Sequence, residues 1–275
     1  QPMGFYAPAQ IVRDAREHGV TVRDVDLNES HWDSTLEACE DGALALRLGM
    51  RQIDGFRRDW AERLIQVRGP GFPDIESLAR RTGMPRGALQ RLAEADACRS
   101  VGLDRREALW AVRRLAAGEP LPLFAAAEAA ELAPEPEVTL PAMPLGEHVV
   151  NDYQVLRLSL KAHPLQFLRQ SYRAARLSSC AEIAALHGGA WARTAGVVLV
   201  RQRPGNGKVV FMTIEDETGI VNVVVWSSLF ERFRGAVVGS RLIEIHGRIQ
   251  RSPENIVHLV AQRLIDRSAD LRNLS

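Results

Sequence analysis

The residues of this chain that could do chemistry fall into three kinds: a run of carboxylates, two clusters of arginine, and a few aromatics in β-branched surroundings. The carboxylates are Glu215-Asp216-Glu217. Metal-assisted chemistry needs carboxylates that converge on one point. Consecutive residues in a strand connection point different ways, so this run reads as a solvated turn. No phosphate-binding Gly-rich loop, Gly-x-Ser-x-Gly elbow or His-x-x-x-His pair occurs. Gly205-Asn-Gly207 is a hairpin turn signal. No catalytic residue and no metal site is therefore assigned. The aromatics and cations point instead to nucleic acid: bases stack on exposed rings while basic side chains follow the phosphates. The candidates are Phe211 and Trp226, with Arg201, Arg203 and Lys208 near one turn and Arg248 and Arg251 near another. Val210, Met212 and Ile214 alternate with Phe211 as the more continuous apolar face, which turns Phe211 outward.

The elements that must position these residues lie between Trp191 and Ile265. Five apolar, β-branched runs (194–200, 209–214, 220–226, 241–250 and 256–265) are separated by Gly, Pro, Asn and Asp turns. One amphipathic piece, 227–233, follows the third run. This order predicts a five-stranded OB-type barrel; an SH3-like barrel or a small sandwich is the alternative. The fold class expected for the chain is α+β and multidomain, a helix-hairpin-helix region followed by that barrel.

The other arginine cluster lies upstream. Residues 47–118 read as helical and hold 15 arginines against nine acidic residues, a surplus of six. Residues 190–275 carry a surplus of four, with 12 basic and eight acidic residues, and 119–150 hold six glutamates and no basic residue. Two basic modules flanking an acidic connector suit phosphate backbones, although solvated charged faces would give the same count. Within the first module, Ile53 to Ile65 resembles a helix-hairpin-helix, in which turn amides face a phosphate. Gly55 and Phe56 match it, as does an Ala61/Ile65 packing pair; Arg57 stands where a second glycine is usual and could reach the phosphate with its side chain. Leu78 to Leu92 repeats the theme, with Thr82-Gly-Met-Pro85 amid arginines. Gly55, Phe56, Arg57, Arg58, Arg81 and Arg86 are the candidates here; an αα-hairpin without a ligand is the other reading. Asp104 is expected to cap the helix over 103–115.

Gln1 to Val20 with Val25-Asp-Leu-Asn28 and Trp32-Asp33, the hairpin, His163-Pro-Leu165 and the barrel together resemble the C-terminal portion of bacterial C-family DNA polymerases. The resemblance covers nearly the whole chain and is nearest to the damage-inducible, error-prone branch. It implies the domains 1–46 (end of the fingers, incomplete), 47–118 (helix-hairpin-helix), 119–150 (connector), 151–189 (short helices), 190–268 (OB domain) and a frayed tail, 269–275. It implies a parent enzyme, a DNA-directed DNA polymerase active in translesion synthesis. That enzyme's metal-binding aspartates, and the magnesium they hold, would lie in a palm upstream of Gln1. No cofactor is expected in this portion. Ala95-Asp-Ala-Cys98 departs from the family, which usually has a glycine before the second alanine. The tau-binding domain of the main replicative enzyme is missing, as the error-prone branch would show.

The partners expected are single-stranded template and primer-template duplex. An accessory translesion protein, or the sliding clamp through Leu121, Leu123 and Phe124, is possible from the connector, where local packing is the alternative. A protein-recruitment module with little DNA affinity, or a stand-alone OB protein of the synthetase-associated kind, are the rival functions. His163 reads as a cap or packing residue. The 35 basic residues include 33 arginines, a skew attributed to genome composition. Three scattered cysteines, Cys39, Cys98 and Cys180, predict no disulfide or zinc site and a reducing, cytoplasmic compartment. Neither a signal peptide nor a membrane span is expected. The start at Gln1 suggests a piece of a longer protein.

Overall fold

A computed structural model describes residues 8–40, 42–115, 141–205, 207–252 and 256–274. The proposed Leu121–Phe124 contact lies outside them. The chain forms two compact units, one of residues 9–143 and 151–160, the other of residues 144–150 and 161–275.

The first unit opens with helix α1 (Pro8–Glu17) and strands β1 (Thr21–Arg23), β2 (Thr35–Ala38) and β3 (Leu44–Arg47). β3 is central, parallel to β1 and antiparallel to β2. Helices α2 (Arg58–Val67), α3 (Ile75–Thr82), α4 (Arg86–Glu94) and α5 (Arg105–Arg114) follow. Val25, Leu27 and Leu48, which flank the strands, join Ile53, Phe56, Leu64, Leu78 and Leu92 in one core. The sheet and the helices thus share their apolar interior. The region expected to be helical from residue 47 begins with the end of β3 and a single 3-10 turn, Met50–Gln52. Asp74 caps α3 through the Ser77 amide at 2.7 Å, and Gly83 ends it at φ +54°, a conformation that costs glycine little. Asp104 caps α5, and Glu107 returns the bond to complete a capping box. Arg105 of α5 is buried; its Nε donates to the Glu94 carbonyl at 2.9 Å and its guanidinium pairs with buried Asp152. Asp152 lies on α6 (Leu145–Val155) and also accepts from the Ser159 hydroxyl at 2.7 Å.

The second unit is the barrel with its supporting helices α7 (Pro164–Ala174) and α8 (Cys180–Ala185). The strands β4 (Trp191–Gln202), β5 (Val209–Asp216), β6 (Gly219–Trp226), β7 (Leu242–Arg251) and β8 (Val257–Asp266) close in the order β4-β5-β6-β8-β7. β4 is long enough to pair with β7 over its first half and β5 over its second, with a register shift between Val198 and Val200. That long first strand is what closes five strands without an exposed edge. A second shift falls at Gly247, where an added Cβ would stand 2.1 Å from the Val260 carbonyl oxygen. The barrel is filled by Met212, Ile214, Val223, Val225, Ile245 and Leu259. The insert after β6 is two short helices, α9 (Ser227–Arg232) and α10 (Arg234–Gly239), rather than one.

Three expectations change in this unit. Glu215 and Asp216 are buried, not solvated. Asp216 accepts from the amides of Cys180 at 2.8 Å and Thr218 at 2.8 Å, so it caps α8 and closes the β5–β6 turn together. Arg169 of α7 pairs with Asp216 at 2.7 Å and Glu217 at 2.5 Å. A sequence reading sees three adjacent acids and cannot see the arginine that arrives from 47 residues away. The sequence predicts a helix within 174–187 that stops at Gly188-Gly189; α8 stops earlier, at Ala185, and before it Ser178 bridges to Thr194 of β4. The segment 269–275, expected to fray, lies largely in a 3-10 helix, Ser268–Leu274, whose Asp270 accepts a 2.8 Å bond from the Tyr172 hydroxyl. His163 caps α7, its Nδ1 accepting from the Leu165 amide at 3.2 Å. The three cysteines form no disulfide. Among the described residues no helix is long and apolar enough to cross a membrane.

Candidate nucleic-acid interface

Strand alternation gives the barrel two faces. On β5 and β6 the inward set is Val210, Met212, Ile214, Val221, Val223 and Val225, and all are buried. The outward set includes Phe211, 43% exposed, and Trp226, 52% exposed. Phe211 pairs in register with Val224 and Trp226 with Val209, so the two rings are diagonal neighbours on one face. Such neighbours sit about 7–8 Å apart, a spacing that adjacent bases of an extended strand can span. A surface that leaves two large rings half in water, on the strands OB folds use for oligonucleotides, is a stacking platform.

The cations around it divide. Arg203 lies at the β4–β5 turn, its guanidinium 4.7 Å from the Phe230 ring centre and its Nε donating to the Gly207 carbonyl at 3.2 Å. It is exposed, as is Lys208 beside it. Arg248 is exposed and donates to the Gly189 carbonyl at 3.0 Å. The other two candidates serve the fold. Arg201 donates through Nε to the Val237 carbonyl at 2.5 Å and also bonds Ser240, closing the C-terminal end of α10. Burial disfavours its charged form and lowers its pKa. Arg251 donates to the carbonyls of Ala184 at 2.6 Å and Leu186 at 2.9 Å, closing the end of α8. These two guanidiniums satisfy helix-end carbonyls that otherwise lack donors, with Arg201 exposed and Arg251 half-buried. An aromatic that sequence reasoning missed is Trp191, 50% exposed and paired in register with Arg248. Its place at the very start of β4 hid its outward orientation.

In the helical unit Gly55 adopts φ +73° and Phe56 packs edge-on against Trp60, ring centres 5.5 Å apart. Phe56 is therefore a core residue. Arg57 caps nothing with its side chain; it makes two 2.8 Å bonds to Asp59 and lies 5.1 Å over the Trp60 ring. Arg58 pairs with Glu62 at 2.7 Å. Both pairs are exposed, and exposed ion pairs contribute little, so either arginine can exchange its carboxylate for a phosphate. Arg86 bonds the Arg113 carbonyl and stays exposed. Arg81 differs: it donates to the carbonyls of Gly71 at 2.9 Å, Arg68 at 2.8 Å and Val67, and lies 4.6 Å over Phe72. It holds the α2–α3 connection together and is corrected to a structural role. Two arginines not singled out from sequence stand at the turns instead. A Cβ on Gly83 would lie 3.3 Å from Arg63 Nη2, and one on Gly55 would lie 3.5 Å from Arg91 Nε. Each turn glycine is thus overlaid by an arginine of the other hairpin.

Comparison with known proteins agrees with this geometry. Residues 19–108 match the family model of a helix-hairpin-helix motif. Residues 192–266 match that of an OB-fold nucleic acid binding domain. Over its entire length the chain is 57% identical to a segment of the error-prone DNA polymerase of Brucella abortus, covering 26% of that protein. It is 53% identical to a segment of the Rhodopseudomonas palustris enzyme of the same name, covering 25%. The chain therefore spans about a quarter of the length of the curated relatives it matches. Among solved structures, asparaginyl-tRNA synthetase from Pyrococcus horikoshii aligns over 32% of this chain and 22% of its own, at 24% identity and a TM-score of 0.28.

Proposed function

We propose that this chain is the DNA-positioning portion of an error-prone DNA polymerase that extends primers across damaged template. Its relatives bear that name along the full length of the chain. In this reading the metal-dependent transfer of nucleotides, and the magnesium it uses, belong to other parts of the parent protein, which works in the cytoplasm. The barrel holds the unpaired template strand, and the hairpins hold the duplex through Arg57, Arg58, Arg63 and Arg86. The observation that carries the reading is the diagonal pair of half-exposed rings, Phe211 and Trp226, on the outer β5–β6 face. Two large rings side by side in water form a contiguous apolar patch, the kind of surface that marks a ligand site.

A second reading, recruitment of an accessory protein, is favoured for the helical unit by one observation. Arg81 is engaged inside the fold, which thins the phosphate-facing charge. Fluorescence-anisotropy titration with single-stranded and primed DNA at two salt concentrations separates the two. Micromolar or tighter binding that weakens steeply with salt supports DNA positioning. Absence of binding at low salt refutes it and leaves recruitment.

A further inference from the structure

Beside the aromatic pair, one step along the same two strands, the outer face carries two neutral polar side chains. Thr213 pairs in register with Asn222. Phe211 pairs with Val224 in the same way. Thr213 and Asn222 each stand two residues from Phe211 and Val224, about 7 Å along the strand and on the same outer side. The register continues from Asn222 to His258 and Gln250, but the barrel is closed and carries those two round and away from the rings.

We propose that Thr213 and Asn222 form a ledge that reads the edges of bases whose faces stack on Phe211. This rests on the DNA-positioning reading of the barrel and adds to it a preference among bases, which stacking and phosphate contacts do not supply. A base lying flat on the Phe211 ring extends far enough to bring its edge over Thr213 and Asn222. The Thr213 hydroxyl donates to Asn222 Oδ1 at 3.2 Å, which orients the carboxamide and leaves its NH2 group outward. Among the described residues that NH2 makes no hydrogen bond, and Asn222 is half-buried. Carboxamides present a donor beside an acceptor, which is the pattern that base edges complement. Threonine and asparagine carry no charge, so they add nothing to the salt-dependent hold on phosphates, for which cations stand at Arg203 and Lys208. A pair of uncharged polar groups outside the core, set at one base-width from a stacking ring, suits base edges. The same requirement excludes duplex from this face, because paired bases have their Watson–Crick edges occupied.

The test is a competition assay with the full chain and short homopolymers of thymidine, cytidine and adenosine at one salt concentration, read by anisotropy. The wild type is expected to bind at least one homopolymer about five-fold more tightly than another, the effect of one hydrogen bond made or left unmade. Thr213→Ala and Asn222→Ala are expected to level that difference while leaving the salt slope unchanged. Phe211→Ala is expected to weaken all three homopolymers. Equal affinity of the wild type for all three overturns the ledge and leaves the stacking platform standing. So does an Asn222→Ala variant that retains its circular dichroism yet weakens every homopolymer by one factor. Failure of all three to bind at low salt overturns the DNA-positioning reading, and the ledge with it.

Discussion

Replacing Phe211 by alanine gives the sharpest test of the barrel's role. The ring is 43% exposed, so its inner part already rests on the barrel and its outer face is open to a base. Its register partner Val224 is nearly buried, and the neighbouring inward residues Val210 and Met212 are unaffected by the change. Truncation therefore removes a stacking surface without opening the core. Base–aromatic stacking is worth about 1–3 kcal/mol per base, so the affinity for single-stranded DNA should fall by roughly 5- to 150-fold. Since no charge is removed, the slope of log affinity against log salt should stay as it is in the wild type. Trp226→Ala should behave alike. If one strand crosses both rings on separate bases, the double variant should show the sum of the two effects. The assay is anisotropy with labelled single-stranded DNA over a range of salt, alongside thermal melting to show that the barrel remains folded. A folded Phe211→Ala protein whose affinity changes less than about two-fold, well below the stacking range, would refute the stacking platform. A change in salt slope would show that the ring acts through the arginines instead.

Arg203→Ala and Arg81→Ala should part company. The first is expected to reduce the salt slope for single strands by about 0.7 for each phosphate that the side chain no longer neutralises, and the second to lower the thermal midpoint with the slope intact. Asp152→Ala leaves the Arg105 guanidinium buried without its carboxylate and should destabilise the helical unit by about 3–5 kcal/mol in denaturant melts. The double replacement Arg105→Met with Asp152→Leu should recover much of that stability. Asp216 is expected to govern acid stability of the barrel. Burial raises its pKa, but the Thr218 hydroxyl, the Cys180 and Thr218 amides and the Arg169 charge together bring it below its ordinary 3.8. A carboxylate with a depressed folded pKa contributes its full stability above the unfolded value and loses it as pH falls through the folded one. Barrel melting should therefore be flat in Asp216 above about pH 5 and decline toward pH 3 and below. Asp216→Asn should be less stable at neutral pH and show a shallower acid decline.

The barrel was legible in the sequence because its signals are local. Alternation of apolar and polar residues names the strands, Gly205-Asn-Gly207 and Thr218-Gly219 name the turns, and the parity of Phe211 against Val210 and Met212 gives its direction. The helix caps at Asp104 and Gly83 are equally local, since each satisfies backbone groups within a turn of itself. What could not be read is long-range. Nothing in Glu215-Asp216-Glu217 announces Arg169, and nothing near Arg105 announces Asp152. Arg201 sits beside a predicted turn with two other cations, yet its carbonyl partners Val237 and Ser240 come from the end of α10, where the chain enters the neighbouring strand β7. The outward ring of Trp191 escaped for another reason: β4 begins with it, so no preceding alternation sets its parity.

These differences bear on how a basic composition should be converted into a binding surface. Arginine has five donors in a planar fork and often bonds several carbonyls at once. In this chain Arg81, Arg201 and Arg251 do so, at helix ends and loop crossings where backbone oxygens lack partners, while buried Arg105 bonds one carbonyl and a carboxylate. Each still counts toward net charge but has donors committed inside the fold. The surplus of six over residues 47–118 therefore overstates the hairpin region's hold on DNA. The smaller surplus of the barrel sits beside an aromatic pair that duplex cannot use, because its bases are already stacked. Affinity that depends on salt should then arise from exposed cations such as Arg57, Arg58, Arg63, Arg86, Arg203, Lys208 and Arg248. Preference for unpaired template should arise from Phe211 and Trp226. If so, neutralising the exposed arginines lowers affinity for single and double strands together, whereas removing the rings lowers it for single strands alone.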